Sequence, residues 1–312
     1  MINYLGELIS LGVACLWTMA ALASEIGSRR LGVFVMNVWR MGCALLFSAL
    51  LMWFLMGRPY PVYAGVETWL WLLLSGFVGY FFGDWCLFNS YLTIGSRYGQ
   101  LFMTLAPAFA AATAWGMLGQ TLSWNSLLAM AVTLAGIVVA LGGRRHPNQG
   151  DTTITLRGVL FGLGAALGQG VGLVLSKVGL DHYVADVPAT VLPQVENTLP
   201  FGANMIRCVA GLVCFSGWLF LRGGAKDLHK SVSDHRGLAA MLVAVFSGPF
   251  IGVGFSLMAV QYTAAGIAST LMALTPILIL LPSRWLFGQP ITWRSVLGAV
   301  ISCIGVSLFF LL

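Results

Sequence analysis

The pentapeptide GYFFG at residues 79–83 recurs as GPFIG at residues 248–252, which lie 169 positions further along the chain. The same offset aligns residues 70–143 with residues 239–312 without a gap. Matches at glycine, proline and tryptophan arise by chance less often than matches among Leu and Val, and several occur here. They pair Gly79 with Gly248, Gly83 with Gly252, Pro107 with Pro276, Trp124 with Trp293 and Gly136 with Gly305. The chain therefore contains an internal repeat, which bears on the whole fold.

Earlier in each half the spacing of the repeat changes. The segment NVWR at residues 37–40 aligns with NMIR at residues 204–207 at an offset of 167. Trp17 aligns with Gln169 at an offset of 152, so the second half carries an insertion, which we place at about residues 181–201. The predicted organisation is a first repeat at residues 1–143, a connecting loop at 144–155 and a second repeat at 156–312.

The composition excludes a soluble protein. Of the 312 residues, 59% are hydrophobic and only 8% are charged, and the mean hydropathy is +0.90. A soluble domain carries about 25% charged residues, so this chain could not cover a surface that faces water. The net charge of +6 does not indicate nucleic acid, because the basic residues form short clusters between apolar runs. Such clusters orient membrane proteins, and we predict an integral membrane protein.

Ten apolar runs are long enough to cross a membrane, since a helical span needs about 20 apolar residues. They lie near residues 4–24, 32–56, 67–93, 98–118, 123–142, 156–177, 201–221, 237–260, 265–287 and 293–312. Each repeat then holds five helices, an odd number, so the second repeat must enter the membrane from the opposite side. Inverted repeats are typical of secondary transporters, which bind substrate near the middle of the membrane. We predict an all-α membrane protein with ten transmembrane helices, arranged as two inverted five-helix repeats around a central cavity.

The sequence also resembles a known family at particular residues. The features are Gly83-Asp84, Ile94-Gly95, Pro107, Leu118-Gly119-Gln120 and Trp124, with a glycine-bearing last helix in each half. They resemble the drug/metabolite transporter (DMT) superfamily, specifically proteins with two EamA-type domains. The resemblance implies ten helices in two inverted domains around a central cavity, and carriage of small metabolites such as amino acids. The family usually has Glu where this chain has Gln120 and Gln289, so an ion-pair role is not carried over to that position.

Positive charge is divided unevenly between the two ends of the predicted helices. Of 16 Lys and Arg residues, eleven lie in the connections after the first, third, fifth, seventh and ninth helices, at what we call the odd end. The opposite end is the even end. The positive-inside rule places the odd end in the cytoplasm and both termini outside. The family resemblance implies both termini inside, so the direction of insertion stays open.

Asp84 is an acid within an apolar and aromatic run. At 1.5 Å per residue it lies about 15 Å below the odd end, and Arg40 lies at about 12 Å. A lone charge at that depth costs several kcal/mol, so we expect the two residues to pair. Two roles stay open for Asp84: a structural ion pair with Arg40, or a change of protonation that couples transport to a proton.

Arg207 lacks the acid that its repeat partner has, because Val253 stands at the position equivalent to Asp84. One interpretation is that its side chain reaches the even end or pairs with Glu7 or Glu196. The functional interpretation is that its guanidinium group receives a carboxylate or phosphate of the substrate.

Other polar and aromatic side chains within the runs are candidates for the substrate site. Asn37 and Asn204 lie one turn before the paired arginines on the same helix face, where they either orient the arginine or bind ligand. A mid-helix amide such as Gln169 should face protein or a cavity. The candidate substrate-binding residues are Arg207, Asn204, Arg40, Asn37, Gln169, Trp17, Tyr91 and Tyr262.

Motifs for enzyme, nucleotide or metal chemistry are missing from the sequence. It has no G-x-x-x-x-G-K-[ST], no G-x-S-x-G and no paired intramembrane aspartates. Its four histidines lie in connecting segments, and its six cysteines have no C-x-x-C spacing. We therefore expect no enzyme activity, no metal and no cofactor, and energy supplied by a gradient or by exchange.

The leading hypothesis is a secondary active transporter that moves a small polar metabolite, amino-acid-like or otherwise anionic or zwitterionic, by alternating access. The alternatives are a flippase-like carrier of a lipid-linked group and an intramembrane enzyme. The expected partners are a small-molecule substrate, a proton or an exchanged solute, and the lipid bilayer, with no nucleic acid. We expect a monomer or homodimer in the bacterial cytoplasmic (inner) membrane.

Overall fold

The structure is a computed structural model that describes residues 4–119, 124–141, 154–262 and 271–311. These residues form helices and no strand. Six of the helices are long and apolar enough to cross a membrane, judged by length and composition. They are Leu5–Leu31, Val33–Met56, Val66–Ile94, Ser96–Leu118, Leu156–Asp186 and Leu199–Leu221. The prediction of an all-α fold is confirmed for the described residues, whereas the count of ten transmembrane helices goes beyond these six and stays a prediction.

Two of the long helices are divided by π-helical segments or breaks, so the elements outnumber the spans. In chain order they are α1 (Leu5–Leu31), α2 (Val33–Met56), α3 (Val66–Gly76), α4 (Asp84–Ile94), α5 (Ser96–Met103), α6 (Ala106–Leu118), α7 (Trp124–Leu141), α8 (Leu156–Asp186), α9 (Leu192–Val195), α10 (Leu199–Leu221), α11 (Ala225–Ser231), α12 (His235–Val245), α13 (Ile251–Tyr262), α14 (Thr275–Leu278), α15 (Leu280–Phe287) and α16 (Trp293–Leu311). Within the predicted insertion, α8 continues to Asp186 and α9 follows.

The two π-helical segments occupy repeat-equivalent positions. Phe77–Gly83 joins α3 to α4, and Phe246–Phe250 joins α12 to α13. Each overlaps one copy of the Gly-x-x-x-Gly motif with which the repeat was identified. Since π turns inside helices are often found at functional sites, the residues around these segments are candidates for the site.

Single glycines join successive helices at the odd end. Gly32, with φ 79°, lies between α1 and α2, and Gly95, with φ 85°, lies between α4 and α5. Glycine adopts this left-handed region without a steric penalty because it has no Cβ. The chain therefore turns within one residue at both places, which keeps the joined helix ends close together.

Helices α7 and α16 are repeat-equivalent and pack against each other. A Cβ on Gly136 would lie 2.5 Å from the backbone nitrogen of Ser302, and one on Gly305 would lie 2.5 Å from that of Thr133. Thr133 and Ser302 are themselves repeat-equivalent, so the two contacts are related by a two-fold symmetry. From Thr133 to Gly136 along α7, the contacted residue on α16 moves backward from Gly305 to Ser302. The two helices are therefore antiparallel. The two copies of this helix therefore run in opposite directions.

The first long helix of each half packs on the third helix of the other half. α8 packs on α3 and α4, α1 packs in the same way on α12 and α13, and α2 packs on its counterpart α10. A Cβ on Gly168 would lie 2.7 Å from the Cα of Gly83, and one on Gly172 would lie 2.8 Å from the Cα of Gly79. Small residues of this kind let helices approach closely in lipid. The two halves therefore interlock through their first and third helices.

Candidate functional site

Asp84 begins α4 directly after the first π-helical segment, and only 4% of its surface is exposed. Arg40 of α2 donates a hydrogen bond to one of its carboxylate oxygens and forms a buried ion pair with it. Nε2 of Gln169, on α8, donates to the other oxygen at 2.9 Å and to the carbonyl oxygen of Gly79 at 3.2 Å. A buried carboxylate without such partners would carry a desolvation cost of several kcal/mol. Helices α2, α4 and α8 are thus joined at this group.

Arg40 is 8% exposed and is held in place by further neighbours. Its Nε donates to Oδ1 of Asn37 at 3.2 Å, and Nδ2 of Asn37 donates to the carbonyl oxygen of Val33 at 2.9 Å. Its guanidinium carbon lies 4.9 Å from the ring centroid of Phe88, a distance at which a cation and an aromatic face attract each other. In the structure Asn37 orients the arginine, whose charge is balanced by Asp84.

Arg207 of α10 is only partly buried and has a different environment. Its guanidinium carbon lies 4.4 Å from the ring centroid of Tyr80, and its Nε is buried without a hydrogen-bond partner. Among the described residues no carboxylate forms a salt bridge with it. Gly76 allows this approach, because a Cβ there would collide with the backbone of Arg207. The structure therefore places Arg207 against Tyr80 of the other half.

Tyr80 lies in the first π-helical segment and was not among the predicted site residues. Its hydroxyl donates a hydrogen bond to Oδ1 of Asn204, which is 7% exposed, and its ring faces the guanidinium group of Arg207. Two residues one turn apart on α10 therefore fix this tyrosine. The sequence feature that could have identified Tyr80 is its position between two glycines of the repeat, where the second half has Pro249.

These residues form a group of mostly buried side chains that carries net positive charge. We define the central cluster as Asn37, Arg40, Tyr80, Asp84, Gln169, Asn204 and Arg207. Two arginines and one aspartate leave one formal positive charge, and only Arg40 forms an ion pair with Asp84 among the described residues. An unbalanced charge within a membrane protein is expensive unless a counter-charge is supplied. The cluster is therefore suited to a ligand with a carboxylate or phosphate group.

The other predicted residues lie around this cluster or apart from it. Trp17 packs at Gly252, where a Cβ would lie 2.9 Å from its Nε1. Tyr91 is 1% exposed, and its hydroxyl accepts from Nε2 of Gln100 at 2.7 Å. Tyr262 ends α13 and is 57% exposed, so the structure does not bring it into the buried cluster.

A cavity of about 680 Å³ lies on the flank of the molecule, between α2 and the second π-helical segment. Its lining is apolar and contains no member of the central cluster. The lining residues are Phe47, Leu50, Leu51, Trp53, Phe54 and Phe250. This is not the central cavity implied by the family resemblance, which stays a prediction.

The described residues offer little for metal or redox chemistry. Among them no group of three or more His, Cys, Asp or Glu side chains could hold a metal ion. The six cysteines are free thiols, and three of them, Cys86, Cys208 and Cys303, are buried. The polar groups that the structure shows in the central cluster are the Arg40–Asp84 ion pair, three amide side chains, the Tyr80 hydroxyl and Arg207.

Long apolar helices, repeat copies that run in opposite directions and a buried charged cluster define a multi-pass integral membrane protein. The family model for the EamA-like transporter family matches residues 4–142 and 156–311. The chain belongs to this family and is a membrane transporter, which confirms the resemblance given by the sequence.

The fold is shared with a solved structure. That structure, titled "Crystal structure of protein", is 17% identical, and the match covers 98% of this chain and 96% of that chain with a TM-score of 0.63. At this identity the similarity shows the fold alone. No match was found among the curated proteins.

Proposed function

We propose that the protein is a secondary active transporter that moves a small anionic or zwitterionic metabolite, such as an amino-acid-like solute, by alternating access. The observation that carries this proposal is the unbalanced charge of Arg207, whose buried Nε has no partner in the described structure. A guanidinium group with free donors binds a carboxylate or phosphate in a fixed, two-pronged geometry. The substrate's anionic group supplies the missing counter-charge.

The architecture supports a mechanism in which the binding site faces each side of the membrane in turn. The proposal includes ten helices in two inverted five-helix repeats, with the site between the halves near the middle of the bilayer. Residues of the central cluster come from both halves: Arg40, Asp84 and Tyr80 from the first, Gln169 and Arg207 from the second. A movement of one interlocked helix group against the other would therefore change access to the cluster.

Within the central cluster we propose separate roles for the two arginines. Arg40, already paired with Asp84, holds α2 against α4 and α8. Arg207 binds the anionic group, and Tyr80 and Asn204 position it. The coupling partner is a proton or an exchanged solute, and Asp84 is the group that would change protonation if it is a proton.

The test is a thermal-stability screen of purified protein with carboxylates, phosphates, amino acids, and neutral and cationic metabolites. We expect stabilisation by an anionic or zwitterionic compound, and transport of that compound in proteoliposomes. Arg207→Gln should lower its affinity about 10- to 100-fold, the range that charge-assisted hydrogen bonds correspond to. Arg284→Gln, at an exposed arginine of α15, is the control and should bind normally.

A smaller change tests the arrangement around Arg207. Tyr80→Phe keeps the ring beneath the guanidinium group and removes only the hydroxyl that donates to Asn204. We expect the affinity to fall by up to about tenfold. If Arg207→Gln bound the compound as well as the unmodified protein does, Arg207 would be removed from the site.

The flank cavity is the observation that favours a second candidate, a flippase-like carrier of a lipid-linked group. Its lining residues Leu50, Trp53 and Phe54 are exposed, and its apolar lining suits an acyl or isoprenoid chain. The same screen with lipid-linked and soluble forms of one head group separates the two candidates. Stabilisation by the lipid-linked form alone would favour the flippase.

We propose the bacterial cytoplasmic membrane as the location. Labelling each end of the helices from outside the cell would determine the orientation.

A further inference from the structure

Glu25 is a fully buried carboxylate outside the central cluster. It lies on α1, six residues before the helix ends at the odd end, and 0% of its surface is exposed. Its Oε2 accepts a hydrogen bond from the backbone nitrogen of Ser96 at 2.6 Å. Its Oε1 accepts from Nε of Arg29 at 3.0 Å and from a terminal nitrogen at 2.7 Å. Ser96 begins α5, so the acid binds the positive end of a helix, where amides lack partners within the helix.

Other contacts draw the same helix ends together. One terminal nitrogen of Arg97 donates to the carbonyl oxygen of Pro290 at 2.9 Å, and the side chain of Gln289 lies against Gly95. The guanidinium carbon of Arg29 lies 5.8 Å from the ring centroid of Phe287. The end of α1, the turn between α4 and α5, and the connection from α15 to α16 therefore meet at one place.

This meeting point contains many polar atoms without partners. Of the eight buried side-chain nitrogen and oxygen atoms without a hydrogen bond in the described structure, six lie here. They are Oγ of Ser28, Ser90 and Ser96, Nε of Arg97, and both polar atoms of the Gln289 side chain. Such groups are costly to bury, and water would satisfy them if this end opened. These groups have no protein partner in the described arrangement, whereas Glu25 has three hydrogen bonds there.

The repeat supplies a counterpart of Glu25 at the even end. An offset of 152 aligns Glu25 and Arg29 with Lys177 and Asp181, so the same pair occurs with its charges exchanged. Nζ of Lys177 lies 3.7 Å from Asp181, and the two side chains are 61% and 68% exposed. The acid at the odd end is thus buried against a neighbouring helix, whereas its counterpart at the even end is exposed.

The hydrogen bond from Ser96 to Glu25 is one of the contacts that join two helix groups at the odd end. α1 is tied to α12 through Arg30 and Asp234, whose Nε and carboxylate oxygens lie 2.9 Å apart. α8 is tied to α3 and α4 through their glycines. Glu25 belongs to the first group, and Ser96 follows α4 in the second. Breaking this bond would remove one link between the groups at the odd end and leave the contacts within each group in place.

We infer that Glu25 is the latch that closes the odd end of the transporter, by binding the first turn of α5. The inference rests on the proposed alternating-access function. It assigns the structure to a state closed at the odd end.

The latch can be tested by thiol labelling without any substrate. Ser28→Cys, at a position 1% exposed, is introduced into protein whose six cysteines are replaced by Ala, and is labelled with a maleimide in detergent. With Glu25 present, labelling should be slow. Glu25→Ala should increase the rate about tenfold, the equilibrium change that loss of a charge-assisted hydrogen bond corresponds to. Glu25→Gln, which keeps an acceptor oxygen, should give an intermediate rate.

Lys177→Ala is the matched control at the even end and should leave the labelling of Ser28→Cys unchanged. Folding of each variant is checked by its thermal transition, and Glu25→Gln carries the test if Glu25→Ala does not fold. Equal labelling rates with and without the carboxylate would overturn the latch. Faster labelling in a protein that binds no anionic compound would retain the latch and remove the proposed substrate. The two failures are therefore distinguishable.

Discussion

Arg40 and Arg207 are two copies of one position in the repeat, yet the structure treats them differently. Arg40 is buried, paired with Asp84 and oriented by Asn37. Arg207 is partly exposed, stacks on Tyr80 of the opposite half and keeps an unpartnered Nε. The duplicated scaffold therefore supplies two arginines, of which one is paired with Asp84 and the other has no carboxylate partner among the described residues.

The two helix crossings that flank these arginines also differ, in polarity and in how closely the helices approach. Gln169 contacts Gly83 in one crossing and bonds Asp84, whereas its counterpart Trp17 contacts Gly252 in the other. One crossing is polar and very close, and the other is filled by an indole ring. Near the two π-helical segments, the described residues thus place a charged side chain in the first crossing and an indole ring in the second.

The largest expected effect is the difference in stability between variants of the two arginines. Arg40→Gln leaves Asp84 buried without its counter-charge and should lower the free energy of unfolding by about 3–5 kcal/mol. Arg207→Gln breaks no ion pair and should change it by less than about 1 kcal/mol. Thermal or denaturant unfolding in detergent measures both. Equal losses would contradict the division of roles.

Controls for the ion pair separate its structural role from proton coupling. Replacing both partners with apolar residues, Arg40→Met with Asp84→Leu, should regain most of the stability lost by Arg40→Gln, because no charge stays buried. If Asp84→Asn left stability intact and changed only the pH dependence of transport, Asp84 would instead be the coupling group.

A second prediction compares the contact of Gly79 with Gly172 in one crossing and the equivalent contact of Gly248 with Ala20 in the other. Gly172→Ala places a Cβ 2.8 Å from the Cα of Gly79, so the helices must separate, at a cost of about 1–3 kcal/mol. Gly248→Ala places its Cβ 3.5 Å from that of Ala20, an ordinary contact, and should be neutral or slightly stabilising. Thermal unfolding of the two variants provides the measurement. A larger loss of stability from Gly248→Ala than from Gly172→Ala would contradict the conclusion that the first crossing is the closer one.

The smallest expected effect concerns the pair that ties α1 to α12 at the odd end. Hydrogen bonds from Arg30 and from the backbone of Gly237 lower the pKa of Asp234 below its usual 3.8. A depressed pKa stabilises the fold above the unfolded value, and this contribution is lost as pH falls through the lower, folded value. Unfolding measured between pH 5 and pH 2.5 should show a weak decline that Asp234→Asn reduces. If Asp234→Asn showed the same decline in stability with falling pH, the decline would come from other carboxylates.

Several features of the site followed from the sequence, and others did not. The repeat identified the paired arginines, and depth along the helices placed Arg40 near Asp84. Tyr80 was missed because an aromatic residue in an apolar run reads as packing until its neighbours are known. The offset of 152 aligns Glu25 with Lys177, but nothing in the sequence indicates that the partner of Glu25 is a backbone amide 71 residues away.

The sequence by itself determined that the chain is helical, membrane-embedded, duplicated and related to transporters. These properties depend on composition and on periodic burial, because lipid satisfies no backbone polar group and forces each span to be a helix. The tertiary structure alone decided which arginine is paired, which glycines touch and that Glu25 is buried against α5. Those outcomes depend on where helices distant in the chain cross, and small differences in side-chain volume and charge at the crossings set that geometry.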